Sequence, residues 1–209
     1  MLIMMAGFAY IGLKEWSDLP SQRNFSFETK RKWFGYGVLY VITPCAAILL
    51  IRFSDNPVGV HHINYGFAAT IWVLSIAIAT DVGAYFAGRF IGGPKVAPSI
   101  SPNKTWVGVV GGIVVAVLFS IFVLAMFNLS MSWVIFKLVI GFSIISQCGD
   151  FFESHIKRKF SVKDTGAFLP GHGGLLDRMD GQIFVMVAAG IYAFLRGPID
   201  EMAFSLIGG

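Results

Sequence analysis

The sequence predicts an all-α polytopic membrane protein, a single integral membrane domain over residues 1–209 built as a bundle of about five to seven transmembrane helices. Three observations carry this. Hydrophobic residues make up 56% of the 209 and charged residues only 13%, about half the charged share of a soluble globular chain. So few charges cover a water-exposed surface thinly, which argues against a soluble enzyme, a disordered chain and a disulfide-built secreted domain. Five apolar runs approach or exceed the roughly 20 residues that a helix needs to cross a hydrocarbon core about 30 Å thick. Finally, thirteen of the sixteen Lys and Arg residues fall in three loops on one side, against two on the other. That asymmetry is expected when basic loops stay cytoplasmic.

The spans follow in order. Residues 33–51 form the first. Residues 63–90 form a long second run with Asp81 inside it. Residues 107–127 are the third, and 131–151 the fourth, with Lys137 inside it. Residues 179–195 are the fifth, short but adequate if flanking side chains snorkel. Residues 1–13 are apolar but short, and they lack the basic start and small-residue cleavage site of a signal peptide. A short span, an interfacial helix and the remnant of a longer helix all stay open for them, and residues 1–32 are read as an N-terminal segment and basic loop. Residues 203–207 are too short to span. Strand-like runs with hairpin turns are absent, which disfavours an outer-membrane barrel; a helix bundle remains, because backbone polar groups in lipid must be satisfied internally. Cys45 and Cys148 sit in apolar runs with neither metal-site spacing nor a disulfide framework. The net charge of +4 follows from topology, so no nucleic-acid partner is implied.

Polar chemistry concentrates in residues 150–180, which hold five of the chain's twelve acidic residues and five basic ones. If the fourth helix continues outward, Asp150, Ser154, Lys157 and Arg158 share one face at 100° per residue. A helix end with a basic flank explains the cations equally well. Further on, Pro170, Gly171, His172, Gly173 and Gly174 form a turn-rich stretch. Glycines there let backbone N–H groups converge on an anion, although an ordinary loop has the same composition. Asp177 and Asp180 follow at i, i+3, beside Arg178. Paired carboxylates next to a basic cluster suit Mg²⁺, which takes one or two carboxylates plus substrate phosphates; a structural salt-bridge network is the alternative. Asp81, deep in an apolar run, must be paired, neutral or wet, so it faces the bundle interior or a polar cavity. Lys95 and Lys104 lie in a Gly/Pro/Ser-rich loop whose hydroxyls and ammoniums suit a polyphosphate. His61 and His62 fall on the opposite side of the membrane and are assigned no role.

The order Ser154-x-x-Lys157-Arg158, Lys163-Asp164-x-Gly166, Leu169-Pro170-x-His172-Gly173-Gly174-x-x-Asp177-Arg178-x-Asp180 resembles the signature of the phosphatidate cytidylyltransferases (CDP-diacylglycerol synthases). Gly149-Asp150 fits the same family. So do Asp81-Val82-Gly83-Ala84-Tyr85-Phe86-Ala87-Gly88-Arg89, Gly92-Gly93-Pro94-Lys95 and Ser101-Pro102-Asn103-Lys104-Thr105-Trp106. The resemblance covers roughly residues 63–195, the expected catalytic core, and is generic upstream. Val107 stands where many relatives carry a polar or acidic residue. The chain is also shorter at its start than most relatives, which usually carry more N-terminal spans.

The resemblance implies transfer of a cytidylyl group from CTP to phosphatidate, giving CDP-diacylglycerol and pyrophosphate for phospholipid biosynthesis, at a catalytic cytoplasmic loop of a multi-pass protein of the inner membrane. It implies catalytic roles for Asp150, Asp177, Asp180, Lys157 and Arg158, with Asp150 and Asp177 holding Mg²⁺. Substrate binding would fall to Ser154, Arg178, Lys104, Lys163, His172, Gly173, Gly174 and Asp81. A second, monovalent cation such as K⁺ and a homodimer are further expectations; Gly108, Gly111 and Gly112 suit either a dimer interface or internal packing. Two other readings stand beside this one. A CTP-dependent membrane lipid kinase would transfer the γ-phosphoryl group. A small transporter or channel would use Asp81 and Lys137 as markers of a pathway.

Overall fold

A computed structural model describes residues 1–22, 26–54, 63–166, 168 and 173–208. Helix α1 spans Leu2–Asp18 and passes through a 3₁₀ turn, Leu19–Gln22. The long helices follow: α2, Phe27–Phe53; α3, Tyr65–Phe90; α4, Trp106–Met126; α5, Trp133–Phe160; and α6, Leu176–Arg196. A short 3₁₀ turn, Ile199–Glu201, leads into α7, Met202–Ile207. Helices α2 to α6 are long and apolar enough to cross a membrane, and the chain is a multi-pass membrane protein.

The fourth span continues outward as one helix to Phe160, as the shared face of Asp150, Ser154, Lys157 and Arg158 supposed, and Ser161 in a left-handed conformation (φ 59°) ends it. Two expectations change. The basic loop read over residues 14–32 holds the end of α1 and the first turns of α2. The chain also contains a short antiparallel pair, β1 (Lys95–Ala97) with β2 (Ser101–Thr105). This hairpin lies in a connection and is far too short to span.

Local chemistry sets the helix starts. Side-chain oxygens of Ser26, Asn64, Thr105 and Ser132 accept the N–H three residues on, at the N-termini of α2, α3, α4 and α5. Each satisfies one of the orphan donors of a first turn. The core is aliphatic and aromatic, with Val41, Ile48, Trp72, Val73, Val139 and Val185 at its centre. Large apolar residues such as Val110, Leu118, Phe122, Ile144 and Ile191 are exposed, the pattern of a surface solvated by lipid rather than water. Several polar groups inside the bundle bond within and between helices: Thr80 Oγ1 donates to Ile76 O (2.8 Å) and meets Ser143 Oγ of α5 (2.9 Å), and Trp72 Nε1 donates to Ser120 Oγ of α4. Lys137 is exposed in the first turns of α5. It lies thirteen residues, roughly 20 Å of helix rise, before Asp150, on the outer surface of the bundle.

The most extensive helix contact is between α3 and α4. A Cβ on Gly83 would lie 2.6 Å from Val115 Cβ and 2.7 Å from Gly111 O, and one on Gly112 would lie 2.8 Å from Thr80 O. Gly108, Gly111 and Gly112 therefore serve internal packing against α3, by the small-residue logic of membrane helices. The segment too short to span, α7, closes the far end: Ala203 N donates to Ser54 Oγ (3.0 Å) and Phe204 packs edge-on against Tyr65.

Gly83→Val should lower the unfolding free energy in detergent by about 1–3 kcal/mol, the range for overpacking. Gly141, whose Cβ would meet nothing within 4 Å, should accept valine at little cost. Thermal melts of the two variants check this directly.

Candidate functional site

Asp150 and Asp180 each sit beside a glycine, and that is what brings them together. A Cβ on Gly149 would stand 2.7 Å from Asp180 O, and one on Gly181 would stand 2.9 Å from Asp150 Oδ1. Helices α5 and α6 thus approach backbone to backbone at the level of both carboxylates. Asp81, from α3, is close enough to both to raise the local negative potential. Lys104 answers this charge: its ammonium pairs with Asp150 Oδ2 and lies 4.6 Å over the Phe151 ring. Asp150 Oδ1 is buried and has no hydrogen-bond partner among the described residues.

Lys104 reaches this position because the hairpin carries it. Lys95 pairs with Thr105 across the two strands, Trp106 N donates to Pro94 O (3.0 Å), and Thr105 then caps α4. A cavity of about 590 Å³ opens between α3, α4, α5 and the hairpin, lined among others by Asp81, Tyr85, Arg89, Lys104, Gln147 and Asp150. It is walled by the face of α3 that bears Asp81, Ala84, Tyr85 and Gly88.

A second polar cluster stands further along α5. Lys157 Nζ bonds Asp177 Oδ1 (2.8 Å) and pairs with Glu153 Oε1 (3.0 Å). Asp177 Oδ2 accepts the backbone N–H of Thr165 and of Gly174, both at 2.8 Å. Gly173 has φ +86°, and a Cβ there would stand 3.0 Å from Asp177 Oδ2, so the turn needs a glycine on both counts. Asp150 and Asp177, paired as metal ligands from sequence, thus have different partners. Among the described residues no three His, Cys, Asp or Glu side chains form a group that could hold a metal. Ser154 is half-buried, while Arg158, Lys163 and Arg178 are exposed. His172 lies outside the described residues, as do His61 and His62.

Sequence reasoning passed over three residues here. Glu153 is 2% exposed and completes an Asp150, Glu153, Lys157 stripe whose i, i+3, i+7 spacing was readable. Tyr40, on α2, has a buried hydroxyl with no hydrogen-bond partner among the described residues, near the carboxylates of Asp150, Glu153 and Asp180. Glu15, on α1, is buried and accepts the backbone N–H of Leu175 (2.8 Å) and Leu176 (2.9 Å). No local pattern announces either of the last two.

Fold and site together define a multi-pass membrane protein with a charged, open cavity between its helices. The chain belongs to the cytidylyltransferase family, whose model matches residues 1–196. It is 37% identical over 196 residues to a phosphatidate cytidylyltransferase of Brucella suis biovar 1, covering 94% of this chain and 64% of that protein. It is 45% identical over 130 residues to one of Staphylococcus haemolyticus (61% and 47% covered) and 42% over 124 residues to one of Bacillus subtilis (59% and 46% covered). The chain thus spans between about half and two thirds of the length of these relatives.

Lys157→Met leaves Glu153 and Asp177 buried against each other without their cation. It should cost about 3–5 kcal/mol, the range for breaking a buried pair. Adding Glu153→Leu should return part of that loss. Denaturant titration of the single and double variants measures both.

Proposed function

We propose that this chain carries the reaction centre of a CTP:phosphatidate cytidylyltransferase, converting phosphatidate and CTP to CDP-diacylglycerol and pyrophosphate. The observation that carries the reading is the joining of Lys104, from the hairpin, to Asp150 in a cavity that Asp81 also lines. One substrate is a lipid whose phosphate lies at the membrane interface, and the other is a soluble, highly anionic nucleotide. A site for both must be polar, set within the bundle and reached from the aqueous side. The asymmetry of Lys and Arg favours a cytoplasmic opening, in an inner membrane. Similarity to proteins named for this activity supports the substrate pair.

In the proposed reaction a phosphate oxygen of phosphatidate attacks the α-phosphorus of CTP. The bond to the β-phosphate breaks and pyrophosphate departs. A phosphate monoester is already largely ionised near neutral pH, its second pKa being about 6, so no general base is required. The protein's contribution is positioning and charge neutralisation. Lys104 and Lys157 stand at the two carboxylate clusters and are the cations best set to exchange a carboxylate for a substrate phosphate. Arg158, Lys163 and Arg178, exposed to solvent, would draw in the triphosphate, and Ser154 would donate to a phosphate oxygen. Gly173, Gly174 and His172 would shape the loop against the nucleotide.

Magnesium fits this donor set. The buried, unpartnered Asp150 Oδ1 offers one hard oxygen ligand, and Mg²⁺ takes one or two carboxylates with the rest of its shell from substrate phosphates and water. Asp177 also belongs among the proposed ligands, although both its oxygens are engaged by Lys157 and the two backbone N–H groups. When bound, the ion would neutralise charge on the phosphates and the leaving pyrophosphate. The donors would equally admit a monovalent second cation, and a homodimer is compatible with the exposed apolar faces.

The test is made on purified protein in mixed micelles with phosphatidate, Mg²⁺ and CTP labelled at the α-phosphate. Label should enter the lipid and should stop doing so with EDTA. Asp150→Asn should lower turnover about a hundredfold or more, the scale for losing one preorganised electrostatic group. Transfer of γ-label instead of α-label would replace this reading with the lipid kinase.

A further inference from the structure

Helix α6 begins without a cap of its own. Its N-cap position is Leu175, and no side chain within the turn bonds its first amides. Those amides point at Glu15, 160 residues earlier in the chain. Glu15 Oε1 accepts Leu175 N at 2.8 Å and Oε2 accepts Leu176 N at 2.9 Å. The side chain is 6% exposed, so these bonds form away from water, where a lost partner is most costly.

The same carboxylate presses on the loop that holds Asp177. A Cβ on Gly166 would stand 2.7 Å from Glu15 Oε1, and one on Gly174 would stand 2.7 Å from Glu15 Oε2. Gly174 N and its neighbour across the loop, Thr165 N, are the two donors to Asp177 Oδ2. Glu15 therefore touches both the start of the helix that bears Asp177 and the backbone that clamps it. It is itself held in place. Trp16 stacks on Trp33 with ring centroids 4.6 Å apart and planes 8° from parallel. Each indole N–H donates to the other residue's carbonyl, at 2.9 and 3.1 Å. This double link fixes α1 against α2 one residue from Glu15.

We infer that Glu15 is a positioning residue for the reaction centre, a cap delivered from α1 that fixes the first turn of α6 and the backbone at Thr165, Gly166 and Gly174, and through them the Asp177–Lys157 pair. The inference that this matters for turnover rests on the activity proposed above; the capping itself does not.

The experiment uses the full chain in detergent, with Glu15→Gln and the shorter Glu15→Asp beside wild type. Glutamine keeps the volume and one acceptor but turns an N–H₂ toward the second amide, so a packing role alone would leave it like wild type. Hydrogen exchange read by mass spectrometry should accelerate about tenfold in peptides covering residues 163–178, the scale of one lost charge-assisted bond. Exchange in α3 and α4 should stay unchanged. In Glu15→Gln, kcat should fall by a similar factor with the KM for phosphatidate held, and Glu15→Asp should retain more of both properties. Exchange and kcat equal to wild type in Glu15→Gln would overturn the inference, and so would acceleration spread evenly over α3, α4 and residues 163–178. If wild type transfers no cytidylyl group, the activity proposal fails, while the exchange result still decides the role of Glu15.

Discussion

A carboxylate inside a membrane bundle is costly unless a cation or a row of N–H groups faces it, and the arrangement of this protein follows from meeting that demand several times over. Asp150 is met by Lys104, Asp177 by Lys157 and two backbone amides, and Glu15 by the first amides of α6. Each solution draws on a different part of the chain. The polar end consequently holds together helices whose apolar flanks have no strong reason to prefer one another in lipid. The same pairings leave little slack: a charge deleted on one element strands its partner on another.

Glycine placement decides where this can happen. Between α3 and α4 the absence of Cβ atoms at Gly83 and Gly112 lets the backbones close together along the membrane, which puts the face bearing Asp81 beside the cavity. Between α5 and α6 the contact sits at Gly149 and Gly181, each next to an aspartate. Close approach and charge clustering are thus achieved by neighbouring residues in the sequence, and the carboxylates crowd together because the main chains already do.

Most of the bundle could be read from composition and run length alone, because a hydrocarbon layer of fixed thickness imposes a length on every crossing element. The continuation of α5 to Phe160 came from the spacing of its polar residues instead: its last turns are charged, and they are held by contacts such as Phe160 against Trp33 rather than by an apolar run. The aspartates of residues 150–180 were visible as a charge-dense stretch, and Glu153 was visible in principle from its spacing. Which carboxylate meets which cation was not visible, since Lys104 lies 46 residues from Asp150 and Lys157 lies 20 from Asp177. Glu15 falls in what reads as a basic loop and Tyr40 in a generic span, and only tertiary placement gives them meaning. The hairpin was missed because strands of three and five residues, set in a connection rich in Gly, Pro and Ser, carry no alternating pattern.

That hairpin also constrains how the chain can vary in length. Its two ends are tied to each other, by the Lys95–Thr105 pairing and by Pro94 with Trp106, and its last residue doubles as the cap of α4. The register already shifts between the Ala97–Ser101 and Lys95–Thr105 pairs, so a residue inserted directly beside Lys104 or Thr105 would move the ammonium relative to Asp150 and displace the cap together. Additions at the tip, between Ala97 and Ser101, would disturb neither. Descendants of this sequence should accumulate insertions at the tip and almost none a few residues later.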